Sequence, residues 1–203
     1  MFGIADYGEF VVAIIVFLAI PGPGNLALLT ATGKGGVRSG AAATLGVIAG
    51  DQVLLWLAVA GLSAVLISYP GLFSTVKWMG AAYLLGLGYS LFKVKPGGPV
   101  LNMKPDHYFR QALLITVLNP KAIVFYMAFF PLFVDPAIHL GLLTFGVMAA
   151  TIAALTLVYG LVVILLAYYL AERVRANPIV GTILNKTAGV LLVGFGLKLA
   201  LFK

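Results

Sequence analysis

From Leu140 to Leu170 the chain carries no charged side chain. A run of roughly 20 apolar residues already crosses the hydrocarbon core of a bilayer, and this one is longer. Nor is it isolated: 62% of the 203 residues are hydrophobic, 9% are charged and the mean hydropathy is +1.10. Soluble domains carry about 25% charged residues, and a soluble protein of this size could not hide so much apolar surface. The chain is therefore expected to be an all-α integral membrane protein.

Six spans are expected, at about Gly8–Thr32, Gly40–Ile67, Leu72–Phe92, Phe109–Val134, Leu140–Leu170 and Ile183–Phe202. The longest polar connection, Lys93–His107, divides them three and three. As domains this gives a first repeat over residues 1–95, a cytoplasmic linker over 96–107 and a second repeat over 108–203. Lys and Arg in short loops mark the cytoplasmic side. They fall at Lys34 and Arg38, at Lys93, Lys95, Lys104 and Arg110, and at Arg173, Arg175 and Lys186. The connections Ser68–Gly71 and Asp135–His139 have none, so both termini are expected outside the cytoplasm. If the broken first span only dips into the membrane, five spans and a cytoplasmic N-terminus follow. Lys198, near the end of the last span, can snorkel.

Several functions are set aside. The formal charge of +7 reads as basic cytoplasmic loops rather than a nucleic-acid surface. The N-terminal flank carries Asp6 and Glu9 but no Lys or Arg, unlike a secretory signal. With no cysteine, disulfides and thiolate metal sites are excluded. His107 and His139 fall in connections without metal spacing, and no nucleotide loop or nucleophile motif occurs. An enzyme, an ATP-driven pump and a bound cofactor are not expected.

The halves resemble each other. Thr44-Leu45-Gly46-Val47 and Asp51 match Thr144-Phe145-Gly146-Val147 and Thr151 at an offset of 100. Lys77-x-x-Gly80 and Gly86-x-Gly88 find counterparts in Lys186-x-x-Gly189 and Gly194-x-Gly196. With three spans per half, the second half must insert upside down. The expected architecture is thus six transmembrane helices in two inverted-topology three-helix repeats, a construction common in secondary transporters.

Three irregular features fall near the middle of their spans. Pro21-Gly22-Pro23-Gly24 interrupts the first, Asp51 lies in the second and Asn119-Pro120-Lys121 interrupts the fourth. A mid-span Asp or Lys costs ~2.5–3.5 kcal/mol on insertion scales, so each must face a partner or water. Asp51 reads as a carboxylate that takes up and releases a proton, with Lys121 as its counter-charge or as ligand for a substrate carboxylate. The bland alternative is a fixed Asp51–Lys121 ion pair that holds the halves together. Unwinding is expected over Pro21–Gly24, whereas the single Pro120 is expected to give only a kink. Carbonyls freed before a break suit an ammonium group, and amides freed after it suit a carboxylate. Asn25 and Asn119 add neutral amides, and Tyr126 is a candidate substrate contact. Gly46-x-x-x-Gly50 allows close helix packing, or alternatively a homodimer contact. Tyr83, Tyr89, Trp56 and Trp78 read as packing or interfacial residues.

Pro21-Gly22-Pro23-Gly24-Asn25, Gly46-x-x-x-Gly50-Asp51 and Asn119-Pro120-Lys121-Ala122 resemble, in order and spacing, the LysE/RhtB family of bacterial amino-acid exporters. The run Asn119–Tyr126 is similar to members that export leucine and other neutral amino acids. The resemblance covers nearly the whole chain. It implies a multi-pass inner-membrane exporter of small amino acids such as leucine, threonine or homoserine, driven by the proton gradient. Its motif residues carry over as Pro21, Gly22, Pro23, Asp51, Asn119, Pro120 and Lys121. The readings weighed against it are a carrier of another small solute or ion, and a structural membrane subunit.

Overall fold

The end groups of a helix that lacks water need protein partners, and two of the described helices begin on a side chain that supplies one, Asp6 and Asn119. The computed structural model describes residues 2–20, 22–68, 103–129, 133–134 and 141–175, with isolated positions at 78, 82, 85, 86, 89, 93, 186, 190, 193, 194 and 197. Apart from those isolated positions, the third and sixth expected spans lie outside the described residues, as do most of the 96–107 linker, Lys77, Gly80, Gly88, Gly189, Gly196, Tyr83, Lys198, His139 and Pro21.

Helix α1 covers Tyr7–Ala19, and Asp6 caps it by accepting the Glu9 amide at 2.9 Å. It stops at Ile20, whose extended backbone (ψ 121°) is the conformation a following proline imposes. Helix α2 covers Pro23–Ser68 and restarts on a proline, whose missing N–H costs nothing in a first turn. The break is thus narrower than the expected Pro21–Gly24: Gly24 and Asn25 are already helical.

Helix α2 is itself two arms. Gly36 has φ +70°, a left-handed value that side chains rarely adopt, and Gly35 is also non-helical. In a straight helix residues eight apart are separated by about 12 Å, yet a Cβ placed on Gly40 would collide with Thr32. The chain therefore reverses within the Gly35–Gly36 pair, between the basic residues Lys34 and Arg38. The expected connection of Gly33–Ser39 shrinks to a two-residue turn.

Helix α3, Tyr108–Val117, ends at Leu118, and α4, Pro120–Val124, begins after Asn119. The Asn119 side chain accepts the Lys121 amide at 3.0 Å, and Pro120 takes the first helical position. Pro120 therefore does more than kink a continuous helix, because the helix stops, is capped and starts again. A single π turn, Phe125–Phe129, continues α4. Helix α5, Leu142–Arg175, is about 50 Å long at ~1.5 Å per residue, more than the hydrocarbon core requires.

Among the described residues, two helical stretches are long and apolar enough to cross a membrane: Pro23–Gly61, which includes the turn, and Leu142–Tyr169, with mean hydropathies of 1.7 and 2.5. The outer face of α5 presents Leu157, Val158, Leu161, Val162, Leu165 and Leu166 to the surroundings. In water such a stripe would be an association hazard; in lipid it is ordinary.

Helix α2 packs mainly on α3 and α5. A Cβ on Gly46 would meet the Phe109 carbonyl and Ala112, and one on Gly50 would lie 2.7 Å from Thr116 Cβ and 3.1 Å from the Leu113 carbonyl. Both glycines are used inside the chain, as closely packed helices require. At Gly146, which the repeat match sets against Gly46, a Cβ would meet nothing within 4 Å among the described residues. One core cluster gathers Phe10, Phe17, Leu55, Tyr126 and Met148 around α1; another gathers Leu28, Ala43, Met103 and Ala112 beside the Gly35–Gly36 turn. Beyond α1, Ile4 pairs with Val134 in an isolated antiparallel bridge, and the Ala5 amide donates to Phe133 O at 2.9 Å.

Two outcomes are expected. Gly50→Ala should destabilise by ~1–3 kcal/mol, as overpacking does, while Gly146→Ala should be neutral; thermal unfolding of the purified variants measures both. Antiparallel partners sit about 4.5–5.5 Å apart, within disulfide reach. Ile4→Cys with Val134→Cys, placed in a chain without native cysteine, should therefore cross-link under mild oxidation, read as loss of maleimide labelling.

Candidate functional site at two helix breaks

The stop at Ile20 creates the site. The last bond of α1 runs from the Ile20 amide to Val16 O at 3.1 Å. The carbonyls of Phe17, Leu18 and Ile20 therefore have no partner within α1. Asn25, one turn into the next helix, donates from Nδ2 to Leu18 O at 2.9 Å and to Ile20 O at 3.1 Å. Lys121, from the other break, donates from Nζ to Phe17 O at 3.1 Å and to Ile20 O at 2.9 Å. A positive charge there also meets the negative end of the α1 dipole.

The ammonium has a third neighbour. Lys121 Nζ lies 4.5 Å from the centroid of the Phe17 ring, within cation–π range. That ring stacks on Phe125 at 4.1 Å and meets Tyr126 edge-on at 6.3 Å. Gly22 borders the lysine tail: a Cβ there would lie 3.3 Å from Nζ and 3.4 Å from Cε. The side chain thus runs through a gap that glycine leaves open.

Asp51 lies in the second arm of α2 and is buried. Its carboxylate accepts a hydrogen bond from the Tyr126 hydroxyl and, at 3.5 Å through Oδ2, from Thr156 Oγ1 of α5. It also stands within the field of Lys121. Among the described residues no ion pair joins Asp51 to Lys121; the lysine gives its hydrogen bonds to backbone carbonyls instead. The fixed-pair alternative is therefore not the arrangement these side chains take.

The structure brings together Gly22, Asn25, Asn119, Lys121, Tyr126 and Asp51. Pro23, Gly24 and Pro120 act through the backbone as the restarts of α2 and α4. Tyr126 touches Asp51 directly, a contact that sequence proximity to Lys121 did not specify. Four further residues had no sequence signal: Phe17, Thr116, Thr156 and Tyr159. Tyr159 is hydrogen-bonded to Asn25. The Thr116 hydroxyl is buried beside Gly50, with no partner among the described residues. Thr151, on the same helix, bonds Val147 O and Tyr7, and it is Thr156 that reaches the carboxylate. A Thr or Tyr inside an apolar helix reads as packing until its neighbour is known.

The carbonyl cluster can hold a cation, the hydroxyl-bound carboxylate can exchange a proton, and the two lie side by side. The profile of the LysE type translocator family matches residues 15–202. The chain is 33% identical over 205 residues to the leucine efflux protein of Salmonella typhimurium, covering 98% of this chain and 96% of that one. It is 30% identical over 204 residues to the leucine efflux protein of Klebsiella pneumoniae, with the same coverage. An uncharacterized membrane protein of Pseudomonas aeruginosa is 33% identical over 207 residues, covering 98% and 96% of the two chains. No solved structure matches.

Removing the Asn25 amide should leave Leu18 O without its side-chain partner, while Ile20 O keeps Lys121, at ~1–3 kcal/mol for a buried unpaired group. Asn25→Leu should therefore lower the unfolding midpoint more than Asn25→Gln, which retains a donor.

Proposed function

The chain belongs to the LysE type translocator family, and from that premise we propose that it is a secondary active transporter exporting small neutral amino acids across the bacterial inner membrane. Leucine, threonine and homoserine are the size and polarity intended, and the proton gradient is the energy source. Relatives named for leucine efflux support the substrate class. The observation that carries the reading is the meeting of the Ile20–Gly22 and Leu118–Asn119 breaks around Lys121, with Asp51 beside it. Paired interrupted helices are how inverted-repeat transporters build a midplane site.

In this mechanism the chain spans the membrane six times as two inverted repeats. A cytoplasmic amino acid enters between the halves and reaches the breaks. Its contacts come from Pro21, Gly22, Pro23, Gly24 and Asn25 on one side, and from Asn119, Pro120, Lys121 and Tyr126 on the other. Asp51 gains a proton from the outside and loses it to the cytoplasm, and the two protonation states favour opposite openings. Tyr126 and Thr156 suit that role, because a hydroxyl that donates to a carboxylate can rotate and accept from a carboxylic acid.

In proteoliposomes, an imposed pH gradient should drive leucine accumulation with the wild-type protein. Asp51→Asn should reduce that accumulation to background while leucine–leucine exchange persists. Undiminished gradient-driven accumulation in the variant would remove Asp51 from proton coupling.

A further inference from the structure

We propose that Lys121 is a tethered stand-in for the substrate's amino group: its ammonium fills an ammonium cage of Phe17 O, Ile20 O and the Phe17 ring, which the substrate must take from it. The inference rests on the amino-acid reading above and adds which substrate group binds where, and what it displaces.

The cage is complete without any acidic side chain. Two backbone carbonyls accept from Nζ at 3.1 and 2.9 Å, and the aromatic face lies 4.5 Å away. Carbonyl oxygens at a helix C-terminus together with a ring face bind a primary ammonium by its donors and its charge, whatever carries it. The present occupant is held by a flexible four-carbon stem, so it can withdraw without moving a helix. Gly22 keeps the lane beside that stem open; its hypothetical Cβ would lie 3.3–3.7 Å from Nζ, Cε and Cδ. Asn25, which shares Ile20 O with Lys121, keeps that carbonyl partnered when the lysine leaves.

Charge decides which ligands can complete the exchange. A displaced Lys121 still carries its charge inside the membrane and needs an anion. A zwitterionic amino acid supplies one: its ammonium enters the cage and its carboxylate meets the released lysine. A plain amine fills the cage but gives Lys121 no partner beyond the field of Asp51. A carboxylic acid without an amine cannot displace Lys121 at all. The cage thus selects for the amino group, and the tether makes a carboxylate necessary for tight binding.

The test uses 3-methylbutylamine and 4-methylpentanoate as probes, measured by calorimetry on the purified protein. A tether that fills the cage about 90% of the time lowers a competitor's apparent affinity about tenfold. Lys121→Cys, the only thiol in the chain, should therefore bind the amine about tenfold more tightly than wild type. Alkylation of that thiol with 2-bromoethylamine rebuilds a lysine-like arm and should abolish the gain. Equal or weaker amine binding by Lys121→Cys, or a gain that survives aminoethylation, overturns the proposal. A second measurement needs no variant. In wild-type protein carrying carbon-13 at lysine Cε, the Phe17 ring current should set one lysine signal apart. Saturating amine should return that signal to the common position, and 4-methylpentanoate should leave it in place. A signal unmoved by the amine, or moved by the acid, overturns the proposal. Neither assay requires transport: a protein that exchanges amines in this way but carries no amino acid would sink the transport reading and leave the cage standing.

Discussion

A helix that ends inside a membrane leaves carbonyls that lipid cannot satisfy, and the rest of the site follows from that constraint. The stop at Ile20 leaves Phe17 O, Leu18 O and Ile20 O without partners in α1, and such backbone away from water is tolerated only with protein to bond it. Asn25 answers from the next turn of chain and Lys121 from a hundred residues away. The second contact makes the two halves interdependent. Lys121 can reach α1 only because α3 also stops, Asn119 caps α4, and Pro120 starts the helix anew with the lysine in its first turn.

The two breaks share one local grammar: an extended residue, a proline at the first helical position, and an asparagine whose amide bonds backbone. Their consequences differ. Asn25 points back and satisfies the helix that ended, whereas Asn119 points forward and caps the helix that begins. The first break therefore presents carbonyls to the site and the second presents a charged side chain. The chain thus obtains an acceptor side and a donor side from the same kind of interruption.

Much of this was legible in the sequence. The apolar runs gave the membrane, the basic residues at Lys34 and Arg38 marked the first reversal, and two proline-bearing breaks singled out the residues that meet. The lone Asp51 and the mid-span Lys121 stood out because charge is rare and costly at that depth. What the sequence left open depends on helix rotation, which an almost wholly apolar helix does not encode in its periodicity. The second arm of α2 is apolar on most faces, so its pattern did not say that Gly46 and Gly50 face α3 while Asp51 faces Tyr126 and Thr156. For the same reason no pattern in Leu140–Leu170 singled out Thr156 as the hydroxyl that reaches the carboxylate. The extent of the break was also overestimated. Proline and glycine disfavour a helix interior, but proline is well placed at a helix start, and the chain uses Pro23 in that way.

The partners of Asp51 bear on what it can do. A carboxylate locked in an ion pair loses its partner's attraction when it takes up a proton, so the pair resists titration and serves best as a fixed link. Asp51 is instead held by the neutral hydroxyls of Tyr126 and Thr156, with Lys121 engaged on backbone carbonyls nearby. Protonation then needs only that a hydroxyl turn from donor to acceptor, and no buried charge loses a direct contact. The charge of Lys121 is still felt at Asp51 although the two are not in direct contact. The two helix breaks bring the Lys121 ammonium to the carbonyl cluster and leave it within the field of the Asp51 carboxylate.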